Sequence, residues 1–592
     1  MFYYNPLDKK CKSVIGAVRE GTKLKIKVFT DISSVTMYVV ADDSGIEKAY
    51  PMKRSSGGFF AYLDLPVGLY WYHFASPSTR YGRGEHLVAG ESRESNFQLS
   101  VFERSYVAPS VMRGGIVYQI FPDRFCKIGD FSVGDGKVKR TDWGGQPTYR
   151  DADGLVKNNE FFGGNFKGIR SKLKYLKSLG VTVVYLNPIV KAYSSHRYDT
   201  GDYMAIDPVL GTEKDLKSLI NAAKKAGISF IFDGVYNHTG ADSVYFNKYG
   251  DYAGVGAYQS KKSPYFTWYR FSEFPDKYSC WWNFSSLPAI RKDSEDFQRF
   301  ICGTVLKKCF DLGFKGVRLD VVDELSGAFV ERIKSVALSY SADCPVVGEV
   351  WEDATNKIAY GKRRQYFLGR QLDSVMNYAL REAVISYLLT GDTLWLVDTM
   401  KEQVNNYSAQ SLSCLMNVMS THDTPRLITV LGRSKVVLDK DLLRYESLDD
   451  FEYERGKTLA KLAYAIAYTC YGSPSVFYGD EAGLFGDLDP YNRGCYPWGE
   501  EDKEMLSFMT YLGKVRKSSV AIRKGDFTIV YADKYILVYE RRYKHSRVIV
   551  AVSRDPAPVT IKLDHLFAEF FTDDYKNEFT LPSDGVLILR SK

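Results

Sequence analysis

The chain has 592 residues, of which 45% are hydrophobic, so it is long enough to form several cores and too long for one ordinary domain. Its net charge of +8 is spread along the sequence without a long basic run, which argues against a dedicated nucleic-acid surface. The nine scattered cysteines show no CxxC spacing, and neither a secretory signal pattern nor a membrane-spanning apolar run is present, so we predict a cytoplasmic protein that binds no membrane.

Residues 1–108 alternate between apolar and polar residues in the manner of antiparallel strands separated by turns. The clearest strands are KLKIKVF (23–29), VTMYVV (35–40), FFAYLDL (59–65), LYWYHFA (69–75) and NFQLSVF (96–102). The pattern predicts an N-terminal β-sandwich. The residues alone fit three roles for this domain: a binding module, an oligomerisation face or a structural support.

Residues 109–523 repeat a helical stretch, a glycine and a β-branched apolar run, which is typical of helices followed by buried parallel strands. With GIVYQIFPDRF (115–125) at the start and VVGEV (346–350), SVMNY (374–378), NVMSTHD (417–423) and SPSVFYGDE (473–481) at the end, eight strands are counted. This number predicts a (β/α)8 TIM barrel. A doubly wound open sheet is the competing architecture, but no GxGxxG motif follows the first strand.

Two further segments complete the predicted organisation. Residues 237–293, after the third strand, are rich in aromatic residues but show little helical periodicity, so we expect a functional loop subdomain. From residue 524 to 592 alternating segments return, which predicts a C-terminal antiparallel β-domain, a second β-sandwich.

The strand GVRLDVVDEL (316–325) contains the most informative residue pair. Arg318 and Asp320 lie two positions apart, so they share one face of a buried strand. Such a pair is costly unless it is satisfied, and it is either a structural ion pair or part of a catalytic site. In a barrel of this type, all strand ends face one common site. The other candidate residues at these ends are Asp233, His238, Glu349, His422 and Asp423.

DGVYNH, GVRLDVVDE, GEVWED and STHD, in this order, resemble the four signature regions of the α-amylase family (glycoside hydrolase family 13). The likeness extends from YQIFPDRF through SSHRYDTGDYMAIDP to YGDEAG and covers about two thirds of the chain. The N-terminal sandwich and the run NPIVKAYSSHRYDTGDY resemble the branch of cyclomaltodextrinases, neopullulanases and maltogenic amylases.

The resemblance implies that Asp320 is the nucleophile, Glu349 the general acid/base and Asp423 the group that holds sugar hydroxyls. Retaining glycoside hydrolysis needs two carboxyl groups about 5–5.5 Å apart, which neighbouring barrel strands about 4.8 Å apart can supply. We expect Arg318 to keep Asp320 ionised and Glu349 to remain protonated.

The resemblance also assigns sugar-binding roles. His238 and His422 would donate hydrogen bonds to sugar hydroxyls, and Tyr198 would stack on the ring being cleaved. Trp351 would pack on the leaving-group side, whereas Asp489 and Arg493 resemble donor-side ligands. For Asp233 and His196, support of the strand ends is as good an interpretation as direct contact with the substrate.

The chain departs from the family pattern at two places. SLPAI (286–290) stands where the branch often has a Lys-Leu-Asn ending, which leaves the choice among cyclodextrin, pullulan and starch open. Where relatives carry a calcium loop, only Asp130, Asp135 and Asn165 are candidate ligands. We therefore predict no required cofactor and count no metal ligand among the site residues.

The sequence supports a retaining α-glucan hydrolase acting on α-1,4 bonds, with transglycosylation as a further outcome. The alternatives are an inactive glucan-binding barrel, from which a catalytic carboxylate would usually be missing, and an α-1,6-specific debranching glucosidase. The resemblance further implies a homodimer formed through the N-terminal domain.

Overall fold

The computed structural model describes residues 2–84 and 95–592. Met1 and residues 85–94, which belong to the predicted N-terminal domain, lie outside the described residues. Within the described ranges, no helix has both the length and the apolar character needed to cross a membrane.

The N-terminal domain consists of two mostly antiparallel sheets that share one core. In spatial order, the first sheet contains strands Phe2–Tyr3, Leu24–Thr30, Gly58–Leu63 and Lys53–Ser55. The second contains Val18–Arg19, Phe97–Phe102, Gly68–Ala75, Thr36–Ala41 and Glu47–Pro51, with Arg80–Tyr81 beside Gly68–Ala75. Alternate residues of both sheets, such as Ile26 and Val39, are buried against each other. The predicted β-sandwich is confirmed.

Eight parallel strands close into a barrel, which confirms the predicted central fold. We number them β1 to β8: Val117–Ile120, Val183–Leu186, Ser229–Gly234, Gly316–Leu319, Val346–Val350, Ser374–Asn377, Met416–Val418 and Ser473–Phe477. β8 returns to β1 through the pair Val117 and Ser475. Glycines end the preceding helices as predicted: Gly227, in the left-handed region with φ 80°, follows helix Glu213–Ala226 and leads into β3.

Helices of varied length surround the barrel. They are Phe166–Ser171, Leu173–Ser178, Glu213–Ala226, Glu295–Phe300, the π-helical Ile301–Val305, Leu306–Asp311, Gly327–Tyr340, Tyr378–Thr390, Leu394–Asn406, Ala409–Leu412, Leu427–Gly432, Lys440–Leu443, Asp450–Thr469, Lys503–Ser518 and Val520–Lys524. Their apolar faces and the strands form the largest core of the described residues.

The barrel interior changes from apolar to polar along its axis. Val117, Val183, Ile231 and Val347 belong to one buried interior cluster. Two positions further along the strands, the same face carries polar residues, since side chains two apart share a face. These residues are Gln119, Tyr185, Asp233, Arg318 and Glu349. Asp233 in β3 pairs with Arg318 in β4, and Arg318 pairs with Val347 in β5. Because the polar residues are close to the last residues of their strands, they form a layer at the C-terminal rim of the barrel.

The segment after β3 has short elements only. They include the 3-10 turns Phe266–Trp268 and Trp281–Asn283 and the two-stranded ladder of Phe271–Glu273 with Lys277–Tyr278. Its aromatic residues mostly pack on one another, as Phe246 does on Tyr269 and Tyr278.

The C-terminal part is an antiparallel β-domain as predicted, but its six strands form one sheet and not the two sheets of the predicted second β-sandwich. Its strands are Asp526–Ala532, Ile536–Tyr543, Ser546–Ser553, Val586–Ser591, Val559–Glu569 and Lys576–Leu581, in spatial order.

The N-terminal domain packs on the segment that follows β5. Arg363 Nε lies 2.9 Å from Asp42 Oδ2, and Arg363 Nη2 lies 3.1 Å from Asp42 Oδ1. Gln98 Nε2 donates to Thr355 Oγ1 at 2.9 Å. These contacts connect the sandwich to the loop that begins directly after Glu349.

Candidate active site

Three carboxyl groups surround one guanidinium group at the rim of β3, β4 and β5. Arg318 Nη1 lies 2.8 Å from Asp320 Oδ1 and 2.9 Å from Asp233 Oδ1, and Nη2 lies 3.0 Å from Glu349 Oε2. Arg318 has no exposed surface, and Asp320 and Glu349 are only 6% and 7% exposed. A buried charge is tolerated when it is paired, which explains how Arg318 can occupy the barrel interior. The structure thus brings four of the predicted site residues together.

Asp320 shares its cation with two other acids. Burial raises the pKa of Asp320 well above its ordinary value; Arg318 lowers it, and Glu349 and Asp233 raise it further. One guanidinium cannot neutralise three carboxylates, so the pKa of Asp320 stays raised although Asp320 contacts Arg318. The expectation that Arg318 simply keeps Asp320 ionised is therefore corrected, because Arg318 is shared.

Glu349 is held from two sides. Its Oε2 accepts from the backbone N–H of Val321 at 2.8 Å and lies 3.0 Å from Arg318 Nη2 as an ion pair. Its Oε1 accepts from Trp351 Nε1 at 3.2 Å. Val321, a β-branched residue, has φ 38° and ψ 53°, in the left-handed region that such residues rarely adopt. Backbone strain of this kind concentrates at functional sites, and here it aims an N–H at a carboxylate.

Asp423 lies beside a histidine and an arginine. His422 Nε2 is 2.9 Å from Asp423 Oδ2, and Arg493 Nη2 is 3.6 Å from Asp423 Oδ1. Although burial raises the pKa of Asp423, His422 and Arg493 together hold it well below its ordinary value. The carboxylate is about one third exposed, so it is both ionised and accessible to a ligand.

The ring of His422 is fixed by two neighbours. The amide Nε2 of Gln119 lies 2.8 Å from His422 Nδ1, which therefore accepts, so Nε2 carries the proton that it donates to Asp423. The ring also stacks on Tyr198, with centroids 5.0 Å apart and planes 5° from parallel. Tyr198 in turn donates its hydroxyl proton to Asp233 Oδ2 at 2.7 Å. The aromatic pair links the Asp423 side of the site to the Arg318 cluster.

The other two predicted histidines support Tyr198 through its backbone. His196 Nδ1 accepts from Tyr198 N at 3.1 Å, and His238 Nε2 lies 3.1 Å from Tyr198 O. Burial lowers the pKa of His238 to about 4; burial, with Arg493 second, lowers the pKa of His196 to about 3. Both rings are neutral at physiological pH. For His196, support of the strand ends is the interpretation these contacts favour.

Trp351 forms the wall next to Glu349. Its ring stacks on Tyr378 with centroids 3.8 Å apart and planes 9° from parallel. It is 44% exposed, so one face remains open to a ligand while the other is packed. Stacking on an apolar ring face suits such a surface.

Asp489 and Arg493 lie on the opposite side of the site, after β8. Arg493 Nη2 is 4.0 Å from Asp489 Oδ2, and Arg493 Nε donates to the carbonyl of His422 at 2.9 Å. Although burial raises it, Arg493 and Lys440 hold the pKa of Asp489 below its ordinary value. Arg493 therefore lies between Asp489 and Asp423 and contacts both carboxylates.

Several residues around the site were not predicted. Tyr185 donates to Asp233, and Asn187 Nδ2 donates to the Tyr198 hydroxyl at 2.8 Å. Strand alternation could have identified Tyr185, which faces the interior two residues after Val183. No local signal identifies Trp281, whose ring stacks on His238 at 5.1 Å from a segment more than forty residues away.

Two of the three candidate calcium ligands have partners within the protein. Asp130 is paired with Lys139 at 2.7 Å, and Asn165 Oδ1 accepts from Gly168 N at 2.9 Å as the cap of helix Phe166–Ser171. In residues 2–84 and 95–592, no group of three or more His, Cys, Asp or Glu side chains is arranged to hold a metal ion.

The chain is similar to known proteins over most of its length. It is 31% identical to an amylopullulanase of Thermoanaerobacter thermohydrosulfuricus, over 99% of this chain and 45% of that protein. It is 30% identical to a cyclomaltodextrinase of Thermoanaerobacter pseudethanolicus, over 92% of this chain and 91% of that protein. This chain therefore spans less than half of the amylopullulanases it matches, but nearly all of that cyclomaltodextrinase.

A solved structure gives a similar result. The type III pullulan hydrolase from Thermococcus kodakarensis superimposes with a TM-score of 0.70 at 26% identity, over the full length of both chains. The sequence profile described as "Alpha amylase, catalytic domain" matches residues 119–516, which include every barrel strand from β2 to β8 and the second half of β1. The chain belongs to the alpha-amylase family of glycoside hydrolases.

Proposed function

We propose that the protein hydrolyses α-1,4-glucosidic bonds in α-glucans with retention of configuration at the anomeric carbon. The observation that carries this proposal is that Asp320 and Glu349 contact the two ends of the Arg318 guanidinium. Both carboxyl groups can therefore flank a single glycosidic bond, as the retaining mechanism requires.

In the first step, an oxygen of Asp320 attacks the anomeric carbon while Glu349 gives its proton to the leaving oxygen. The glycosidic bond breaks, and an ester forms between the sugar and Asp320. Oε2 of Glu349 is engaged by Arg318 and the Val321 N–H, so Oε1, beside Trp351, is the oxygen suited to carry the transferable proton. Arg318 stabilises the carboxylate form of Asp320 that attacks.

In the second step, Glu349, now ionised, takes a proton from water, and the hydroxide portion attacks the same carbon. The ester breaks and Asp320 is restored. A sugar hydroxyl that replaces water gives transglycosylation by the same proton transfer.

The remaining site residues position the sugar. Asp423, ionised and partly exposed, accepts hydrogen bonds from sugar hydroxyls, and Tyr198, stacked on His422, offers a ring face to the sugar that is cleaved. The exposed face of Trp351 accommodates the leaving sugar. Asp489 and Arg493 contact the donor side.

The names of the relatives support the substrate class. Amylopullulanases, cyclomaltodextrinases and a pullulan hydrolase all act on α-glucans, so cyclodextrins, maltooligosaccharides, pullulan and starch are the proposed substrates. We also propose a homodimer formed through the N-terminal domain and a cytoplasmic location. Static light scattering tests the first: a mass near twice 67.2 kDa supports it, and a mass near 67.2 kDa contradicts it.

A substrate panel tests the activity. The purified chain is incubated with cyclodextrin, pullulan, starch and isomaltose, and the products are separated by size. We expect maltose-like products from the α-1,4-linked substrates and the α-anomer as the first product by NMR. Asp320→Asn, which preserves shape, should abolish turnover while retaining substrate binding. Cleavage of isomaltose alone, or near-normal turnover by Asp320→Asn, would contradict the proposal.

A further inference from the structure

The short helix Lys440–Leu443 lies at the outer end of the donor-side residues. Lys440 Nζ is 2.7 Å from Asp489 Oδ1, while Arg493 approaches the other oxygen of the same carboxylate at 4.0 Å. The side chains of Lys440 and Asp489 are 27% and 32% exposed. Contacts therefore run without a break from Asp423 through Arg493 and Asp489 to Lys440.

Lys440 is held in place by the loop that follows β1. Arg150 Nε contacts both carboxylate oxygens of Asp441 at 2.9 Å, and Lys440 Nζ lies 5.4 Å from the centre of the Tyr149 ring. From the β8 side, the hydroxyl of Tyr491 donates to the carbonyl of Lys440 at 3.1 Å. Three contacts from two loops thus fix the position of one lysine.

This arrangement lies across the barrel from the acid. Glu349, which acts on the leaving group, lies at the end of β5, whereas the loops that carry Arg150, Lys440 and Asp489 follow β1, β7 and β8. In a closed ring of eight strands, β8 and β1 lie opposite β4 and β5. A glucan that extends away from the leaving group therefore meets Asp489 first and Lys440 next.

We propose that Lys440, held by the Arg150–Asp441 pair, closes the donor end of the cleft and limits how many sugar units lie on the donor side of the cleaved bond. This inference rests on the proposed function, since it concerns the same cleft. A longer donor segment can be bound only if the Lys440–Asp489 pair is broken. Lys440 is thus a specificity-determining residue, and the enzyme releases short products from the donor end.

The test uses maltoheptaose that carries a fluorescent label at its reducing end. The length of each labelled product counts the sugars on the acceptor side, so the remainder gives the number on the donor side. The full-length wild type is compared with Lys440→Met, Lys440→Arg and Arg150→Met. Lys562→Met is the matched control, because Lys562 is 77% exposed on the C-terminal sheet and pairs with Glu578 at 3.4 Å.

We expect the ratio of long to short donor segments to rise about fivefold in Lys440→Met, the effect of removing one partly exposed ion pair. Arg150→Met should change the ratio in the same direction, Lys440→Arg should restore the wild-type pattern, and Lys562→Met should leave it unchanged. A merely structural role would lower the rate of all cuts equally.

The two possible failures are distinguishable. If the wild type cleaves no labelled glucan, the proposed function is wrong. If the wild type cleaves and Lys440→Met gives the same distribution of cuts, the inference is overturned while the proposed function stands.

Discussion

Replacing Arg318 by methionine tests the electrostatic centre of the site. Methionine fills much of the same space but removes the cation that contacts Asp233, Asp320 and Glu349 at 2.8–3.0 Å. Three buried carboxyl groups then lose the cation that they share, and of the three, Asp233 and Glu349 keep the hydrogen bonds described above. Arg318→Lys is the graded form of the same change: one ammonium group can replace Nη1, between Asp233 and Asp320, but not Nη2 as well.

The expected losses follow from these contacts. Breaking a buried ion pair costs about 3–5 kcal/mol of stability when one partner is removed. Close charge pairs couple by about 1.5 kcal/mol or more, so losing only the Glu349 ion pair in Arg318→Lys should lower kcat by about 10-fold or more. Because Arg318 opposes the raised pKa of Asp320, its loss raises that pKa further, and the acid limb of the kcat/KM profile moves to higher pH.

The assay combines pH–rate profiles with denaturant unfolding. A folded acid with a raised pKa binds more protons than the unfolded chain, so the stability lost in Arg318→Met should be greater at high pH than at low pH. Arg516→Met is the matched control, since Arg516 is equally buried but donates to the carbonyls of Gly115, Tyr468 and Gly472 at the other end of the barrel. It should lose stability without moving the acid limb. An unshifted acid limb in Arg318→Met would refute this reasoning.

Three other predictions concern stability. Because the pKa of His238 is lowered to about 4, the free energy of unfolding should rise between pH 4 and 6.5. His238→Asn should remove up to about 3 kcal/mol of that rise, measured by chemical denaturation at several pH values. An unchanged dependence of the unfolding free energy on pH would contradict this prediction. Burial lowers the pKa of Lys12 to about 7, and its Nζ donates to the neutral Gly16 carbonyl at 3.0 Å and to the Asn405 side chain at 3.4 Å. Lys12→Met should therefore remove a stability rise of about 1.4 kcal/mol per pH unit above pH 7, measured by the same titration. Asp42→Ala removes both contacts between Asp42 and Arg363 and should weaken the packing of the N-terminal sandwich on the barrel by about 2 kcal/mol. The sandwich should then unfold in a separate transition at lower denaturant concentration. A single transition at the wild-type concentration would exclude this role.

The strands could be predicted because their signals are local. The run 346–350 is a strand with the predicted bounds, since β-branched residues after a proline favour a buried strand. The predicted strand 417–423 ends earlier, at Val418, because Thr421 N donates to Thr424 Oγ1 at 3.0 Å and turns the chain. That turn presents His422 and Asp423 at the rim. The helical stretch before Gly180 consists of two short helices separated at Lys172.

The contacts that define the site could not be predicted in the same way. Motif order indicated that Arg318, Asp320 and Glu349 converge, but not that one guanidinium serves three acids. Lys440 reaches Asp489 from a helix of four residues in a long connection, and no periodicity marks it. Such pairs depend on how distant loops fold over one another, which local patterns do not encode.

The central claim is that Asp320 forms a covalent bond with the sugar, and trapping that ester tests it most directly. An activated fluorosugar substrate forms the glycosyl-enzyme faster than water removes it, so the protein can be digested and its peptides analysed by mass spectrometry. We predict a single added sugar on the peptide that contains Asp320, and none in Asp320→Asn. A sugar attached to another residue, or turnover without a trapped ester, would contradict the account.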